Sequence, residues 1–160
     1  MQTRDAIKIG IDAAAFVVNA YLADLSDAEL MKRPHPQCNH INWQVGHLIA
    51  SEHEMLDRFV PGGMPALPEG FADKYQKETG VSDDPSRFAT KSELMTAFQT
   101  QRDATLKALA QASDADWDKE TGVSYAPNVA SLYMMQSSHW LMHCGQWVIV
   151  RRQLGKPVVI

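Results

Sequence analysis

Four long stretches of the chain place apolar side chains three and four residues apart, the spacing of one face of an α-helix. They predict helices from about Thr3 to Leu25, Asn39 to Val60, Thr90 to Ala112 and Asn128 to Leu154. No segment alternates convincingly like a strand. The 160 residues fit one domain, residues 1–160. The pattern therefore predicts an all-α protein built as an up-and-down four-helix bundle.

Two capping boxes and one long connection organise the chain between these helices. Ser26 with Glu29 is expected to start a short turn, and Thr90 with Glu93 to start the third long helix. The connection between the second and third helices, from about Pro61 to Thr90, is rich in Pro and Gly and is predicted to hold one short helix, Phe71 to Glu78. Irregular connections of this length often act as lids or binding loops.

Charge and hydropathy exclude several classes of partner. The net charge is −4, and the Lys and Arg residues are scattered, whereas phosphate binding needs them clustered. The apolar runs are too short to span a membrane, and the N-terminus lacks the apolar region of a secretory signal. Nothing requires Cys38 and Cys144 to form a disulfide. We expect a cytoplasmic protein without nucleic-acid or membrane partners.

His139 and His143 are four residues apart and therefore lie on the same face of the last predicted helix. The same side carries mainly apolar residues, so the pair is predicted to point into the bundle. Two interpretations remain open: each imidazole could be a core residue with hydrogen-bond partners, or the two could share one divalent cation. The residues predicted to share this inward side are Leu132, Met135, Met142, Gln146, Trp147, Val150 and Leu154.

His47 is the best candidate for a third ligand. Trp43, Ser51 and Glu54 share its side of the second helix, about 100° from the apolar stripe, so His47 is predicted to border the core at the rim of a pocket. Glu54, two turns after His47, is a candidate general base, or else a solvated surface carboxylate. Gln146, one turn beyond His143, could orient an imidazole or a bound water, or be a core amide.

The remaining histidines give weaker patterns. His35, Cys38 and His40 share one loop and could form a small zinc cluster, although the loop holds only three candidate ligands and lacks a Cys-x-x-Cys arm. The stretch beginning at His53 lacks the second His of the H-E-x-x-H motif, because Asp57 stands in its place. Glu-x-x-His does not occur, which argues against a ferritin-like di-iron bundle.

Two stretches carry a resemblance to a known family. The first is Asn42-Trp43-Gln44-Val45-Gly46-His47-Leu48, and the second is His139-Trp140-Leu141-Met142-His143-Cys144-Gly145-Gln146, followed by Arg151-Arg152-Gln153-Leu154-Gly155. Together they resemble the DinB/YfiT-like superfamily of metal-dependent enzymes, and the likeness extends over most of the chain. The combination of W-Q-x-G-H with H-x-x-x-H-x-G-Q is more specific than either element alone.

The resemblance implies an antiparallel four-helix bundle in which His47, His139 and His143 hold one divalent ion. It also implies a homodimer, as in many members, and a small-molecule substrate. Related groups are thiol-dependent transferases or isomerases that use low-molecular-weight thiols, and others are described as hydrolases. Zinc or nickel is the expected ion, and iron or manganese would also suit imidazole ligands.

Three His ligands leave a fourth coordination position open, as in catalytic rather than structural zinc sites. That position could acidify a water for hydrolysis, or hold a thiol as its reactive thiolate for S-transfer. The sequence does not choose between these reactions. A non-catalytic stress-response module that binds a metal or ligand, and a bundle without metal, are the alternatives.

Overall fold

The computed structural model describes residues 1–60 and 62–158, and most of them are helical. The helices are α1 (Thr3–Leu22), the single turn α2 (Asp27–Leu30), α3 (Ile41–Phe59), α4 (Lys91–Gln111) and α5 (Val129–Gln153). The predicted predominance of helix is confirmed, with four long helices where four were expected. The first helix ends three residues earlier than predicted. None of the described helices is long and apolar enough to span a membrane.

Both predicted capping boxes are present. The Ser26 hydroxyl accepts from the Glu29 amide while the Glu29 carboxylate accepts from the Ser26 amide, and this exchange starts α2. Thr90 and Glu93 repeat it at the start of α4. Each box satisfies two amides that the first helical turn leaves without partners.

The connection between α3 and α4 contains three 3₁₀ turns, Ala72–Tyr75, Lys77–Val81 and Pro85–Arg87, instead of one short helix. Gln76 has extended backbone angles and interrupts the predicted helix. The Tyr75 hydroxyl accepts from the Ala89 amide at 3.0 Å and donates to Asn42 Oδ1 at 3.2 Å, so the middle of the connection is fixed to α3. Pro61, where the connection was predicted to begin, lies outside the described residues.

A two-stranded antiparallel hairpin that the sequence pattern did not predict precedes α5, in a chain that is otherwise helical as expected. Strands β1 (Glu120–Val123) and β2 (Ala126–Asn128) are four and three residues long, too short to show a period-two pattern. Gly122 has φ of +71°, which glycine adopts without strain. Both strands pack against α5, and Trp117, just before the hairpin, contacts Tyr133 of that helix edge-to-face.

The core consists of two clusters of buried apolar side chains. The larger contains Trp140 and Trp147 of α5, and the smaller lies near the hairpin around Leu132 and Tyr133. Helix α1 packs most extensively against α5, and α3 packs against both α4 and α5. This packing brings the first half of α3, which carries His47, beside the middle of α5, which carries His139 and His143.

A buried ion pair joins three of the long helices. Glu52 of α3 and Arg102 of α4 are each 2% exposed, with Nη2 and Oε2 3.0 Å apart. The carboxylate also accepts from Thr105 Oγ1 at 2.6 Å and from Trp140 Nε1 of α5 at 2.9 Å. Arg102 donates to the Gln136 carbonyl of α5. A charged pair buried with these partners fixes the relative register of α3, α4 and α5.

Candidate metal centre

Helices α3 and α5 bring His47, His139 and His143 together. One ring nitrogen of each lies within 4.8 Å of the corresponding nitrogens of the other two. The ring centroids are 5.5 Å apart for His47 and His139, 6.1 Å for His47 and His143, and 5.1 Å for the pair on α5. All three side chains are half-buried, so the cluster borders the core and still faces outward.

The residues just before His47 hold its ring in place. Trp43, one turn earlier, stacks on it with centroids 4.9 Å apart and an interplanar angle of 7°. The Trp43 indole nitrogen donates to Thr79 Oγ1 at 3.0 Å, which fixes the indole against the connection. Gly46 lets Tyr75 pack against α3, because a Cβ there would lie 2.2 Å from a carbon of the Tyr75 ring.

Gln44 determines which nitrogen of His143 faces the cluster. Its Oε1 accepts from Trp147 Nε1 at 2.9 Å and lies 2.9 Å from His143 Nδ1. Its Nε2 donates to the Asn39 carbonyl at 2.7 Å. Because an indole nitrogen can only donate, the atom at that contact must be the amide oxygen. His143 Nδ1 must therefore carry the proton, and the Nε2 lone pair is left free to bind a cation.

Gln146 contacts Gln44 rather than a ligand imidazole, which was one of its predicted roles. Its Oε1 accepts from Gln44 Nε2 at 3.1 Å, so it supports the amide that orients His143 and does not itself bond an imidazole. Trp147, expected on the same side, is fully buried and also bonds Gln44. Gln146 and Trp147 of α5 thus both form hydrogen bonds with the Gln44 side-chain amide.

Burial keeps these imidazoles neutral. It lowers the pKa of His139 to about 4, with a further contribution from His47. It lowers the pKa of His143 to about 4 as well, with contributions from His139 and then His47. The pKa of His47 is also lowered by burial. Neutral imidazoles are the form that binds metal, so the three residues fit a divalent ion at neutral pH.

A cleft of about 780 Å³ opens beside the cluster. His47 and Trp43 line it, and the 3₁₀ turns of the connection form the opposite wall through Tyr75 and Lys77. Ser51 and Glu54 line it too, as their shared bearing with His47 predicts. Glu54 lines the cleft, but its side chain is exposed and therefore solvated like other surface carboxylates.

The α5 histidines lie at the edge of the buried face, not at its centre. The buried face includes Tyr133, Trp140 and Cys144, and Trp140 lies about 100° around the helix from His139 and about 60° from His143. The prediction that Met142 points inward is wrong: its side chain is 60% exposed. The periodicity analysis placed the apolar face too far toward the histidines because α5 carries apolar residues on every side.

Other residues considered as ligands stay apart from the cluster. Within residues 1–60 and 62–158, no group of three potential ligands forms around His35, Cys38 and His40. His40 instead caps α3, its Nδ1 accepting from the Trp43 amide at 3.0 Å. Cys144 is buried, and burial raises the pKa of its thiol to about 12, so it does not offer a thiolate.

Sequence reasoning missed Gln44 and Glu52 as supporting residues. Both are polar positions on α3 that are buried, at 1% and 2% exposure. Gln44 stands three residues before His47, so the W-Q-x-G-H element contained the only hint of its role. Glu52 had no hint, because an isolated acidic residue on a helix usually faces solvent.

Comparison with known proteins agrees with this arrangement of residues. Searches of curated proteins and of solved structures found no match. A model of the DinB superfamily matches residues 11–147, a range that includes all three histidines, the cleft and the Gln44 contacts. The chain belongs to the DinB superfamily.

Proposed function

We propose that the chain is a divalent-metal-dependent enzyme that acts on a small molecule at His47, His139 and His143. The observation that carries this proposal is the cluster of three neutral imidazoles, one of which, His47, lines a cleft large enough for a small molecule. Three nitrogen ligands from two helices leave a coordination position free, which suits catalysis better than structural binding. Zinc and nickel are the preferred ions, with iron and manganese as alternatives.

A bound divalent ion would supply the charge that makes a water or a thiol nucleophilic near neutral pH. The protein residues position the other participants. Gln44 holds the His143 ring in one tautomer, and Trp43 forms an apolar wall beside His47. Glu54 is the candidate proton acceptor, supported by its place in the cleft.

The reaction is proposed to be either hydrolysis or thiol-dependent S-transfer, with a low-molecular-weight thiol as the second substrate. The metal-loaded protein should be offered monobromobimane with a panel of small thiols, and separately generic esters and amides. Metal-dependent conjugation with one thiol identifies a transferase, and ester or amide turnover identifies a hydrolase. If neither occurs and chelation lowers the melting temperature, the non-catalytic alternative is favoured.

Metal content tests the site itself. Wild-type protein should retain about one divalent ion per chain, and His139→Ala should retain much less, because it removes one of three ligands. His53→Ala is the matched control, since His53 lines the same cleft but lies outside the cluster. Equal metal content in wild type and His139→Ala, or equal loss in both variants, contradicts the assignment.

We also propose a homodimer formed through the outer face of α5. Met134, Leu141, Met142 and Ile149 lie on one side of that helix and are 40–60% exposed. A helix that is apolar on all sides is usually covered on all sides. Sedimentation equilibrium should show a dimer for wild type and a monomer for Leu141→Lys. A monomeric wild-type protein would contradict the proposed homodimer.

The remaining architecture is proposed from the family. We infer that α1, α3, α4 and α5 form its antiparallel four-helix bundle as a single domain, supported by their shared core clusters. A cytoplasmic location is proposed because Cys38 and Cys144 are both free thiols. Partial proteolysis that releases a stable fragment of half the chain would contradict the single domain.

A further inference from the structure

A second cavity lies near the hairpin and is separate from the histidine cluster. Its volume is about 330 Å³, and its wall includes Leu56, Phe59, Ala108, Val129, Leu132 and Tyr133. At 1.5 Å per helical residue, Tyr133 lies about 9 Å along α5 from His139, and Leu56 about 13 Å along α3 from His47. No member of the histidine cluster lines it. The site described above therefore does not explain this cavity.

The cavity exists because alanines stand at and just after the end of α4, where larger side chains would fill the space. Ala108 of α4 and Ala112, the residue that follows the helix, both line it. The other helices contribute bulky apolar groups that meet this gap, so the wall is mainly hydrocarbon. An apolar space of this size is larger than the engineered cavities of roughly 150 Å³ that bind benzene.

Tyr133 contributes a hydroxyl to the cavity, beside Gln111 and the charged residues that also line it. The residue is only 2% exposed, and the part of the chain that the structure describes offers this hydroxyl no hydrogen-bond partner. Tyr133 lines the cavity and its hydroxyl oxygen is not fully enclosed by protein, so a molecule in the cavity can reach that oxygen. A phenol without a protein acceptor is available to donate to a ligand.

The charged groups at the rim disfavour an anion. Asp116 pairs with Lys119, with Oδ1 and Nζ 2.5 Å apart, and its other oxygen accepts from the Ser113 amide at 2.7 Å. Glu120 also lines the cavity, which leaves an excess of one negative charge among these rim residues. A carboxylate ligand would meet this charge without a free cation to receive it.

We propose that this cavity binds a small uncharged molecule of about one aromatic ring, whose acceptor group receives a hydrogen bond from Tyr133. The apolar wall provides the contact surface, and the hydroxyl sets the orientation, as in small-molecule sites with few polar groups. The proposal does not depend on metal binding, because no residue of the cluster takes part.

Titration of the isotopically labelled protein, followed by amide chemical shifts, tests the proposal with three probes of similar size. Acetophenone is uncharged with an acceptor, toluene lacks the acceptor, and benzoate carries a charge. Acetophenone should give saturable shifts centred on 129–133 and 108–112, with a Kd on the order of 1 mM. Toluene should bind more weakly and benzoate weakest of all. Benzoate binding as tightly as acetophenone, or no saturable shift with acetophenone, overturns the proposal.

Two cavity variants and one surface control separate binding in the cavity from general surface effects. Tyr133→Phe keeps the volume but removes the donor, so it should weaken acetophenone about fivefold and leave toluene unchanged. Ala108→Leu fills the cavity and should abolish both, whereas Ala110→Leu, at an exposed position of the same helix, should not. Unchanged binding in Ala108→Leu, or equal weakening of both probes in Tyr133→Phe, contradicts the assigned site.

Discussion

Replacing Gln44 with leucine should weaken metal binding although Gln44 is not itself a proposed metal ligand. The Gln44 side chain is 1% exposed, and its amide oxygen holds His143 Nδ1 and Trp147 Nε1, each at 2.9 Å. Without that oxygen, His143 is no longer held in the tautomer that presents Nε2. Outer contacts of this kind change metal affinity about 10- to 100-fold, which corresponds to roughly 1.4–2.7 kcal/mol. The stranded indole N–H should cost a further 1–3 kcal/mol or so of folding stability.

The two effects can be separated by experiment. Metal affinity is measured by competition with a chromophoric chelator, and stability by urea unfolding of the chelator-treated protein. Gln146→Leu is the matched control: it removes one acceptor of Gln44 Nε2 but leaves the Asn39 carbonyl, so affinity should fall less than about threefold. A folded Gln44→Leu protein that binds metal within threefold of wild type refutes the positioning role. Equal losses in the two variants refute it as well.

Further predictions concern stability and pH. Glu52→Gln leaves the Arg102 guanidinium buried without a counter-charge, so the unfolding free energy should fall by about 3–5 kcal/mol. In a double-mutant cycle with Arg102→Met, fully additive losses of unfolding free energy would contradict coupling between Glu52 and Arg102. Gly46→Ala should destabilise by about 1–3 kcal/mol in thermal unfolding because its Cβ meets the Tyr75 ring, whereas Gly145→Ala, with nothing within 4 Å, should not. The metal-free protein should lose stability as pH falls from 6.5 toward about 4. Between these pH values His139 and His143 bind protons in the unfolded chain but not in the folded one. Replacing both with glutamine should therefore make the unfolding free energy depend less steeply on pH. An unchanged dependence would contradict the assignment of this effect to the two histidines.

The helices could be predicted because their determinants are local. Apolar spacing and the capping pairs at Ser26 and Thr90 act within a few residues, and the structure contains both. The hairpin could not be predicted, since strands of four and three residues carry too little pattern. The connection was recognised as irregular, but its attachment through Tyr75 depends on contacts with residues far away in the sequence.

The site was predictable to a lesser degree. Spacing placed His139 and His143 on one face, yet their half-buried position depends on which side of α5 meets its neighbours. His47 was singled out mainly by the family resemblance, and only the packing of α3 against α5 brings it to the pair. Gln44 and Glu52 were missed because a buried polar residue is stabilised by distant partners that periodicity cannot reveal.

X-ray absorption at the metal edge of the metal-loaded protein tests the central claim most directly. It reports the number and kind of atoms around the ion, independent of any reaction. With zinc bound, we predict three imidazole nitrogens at about 2.0–2.1 Å, one oxygen ligand and no sulfur. His47→Ala should lower the imidazole count from three to two. A sulfur ligand, or a single imidazole in wild-type protein, would contradict the three-histidine site.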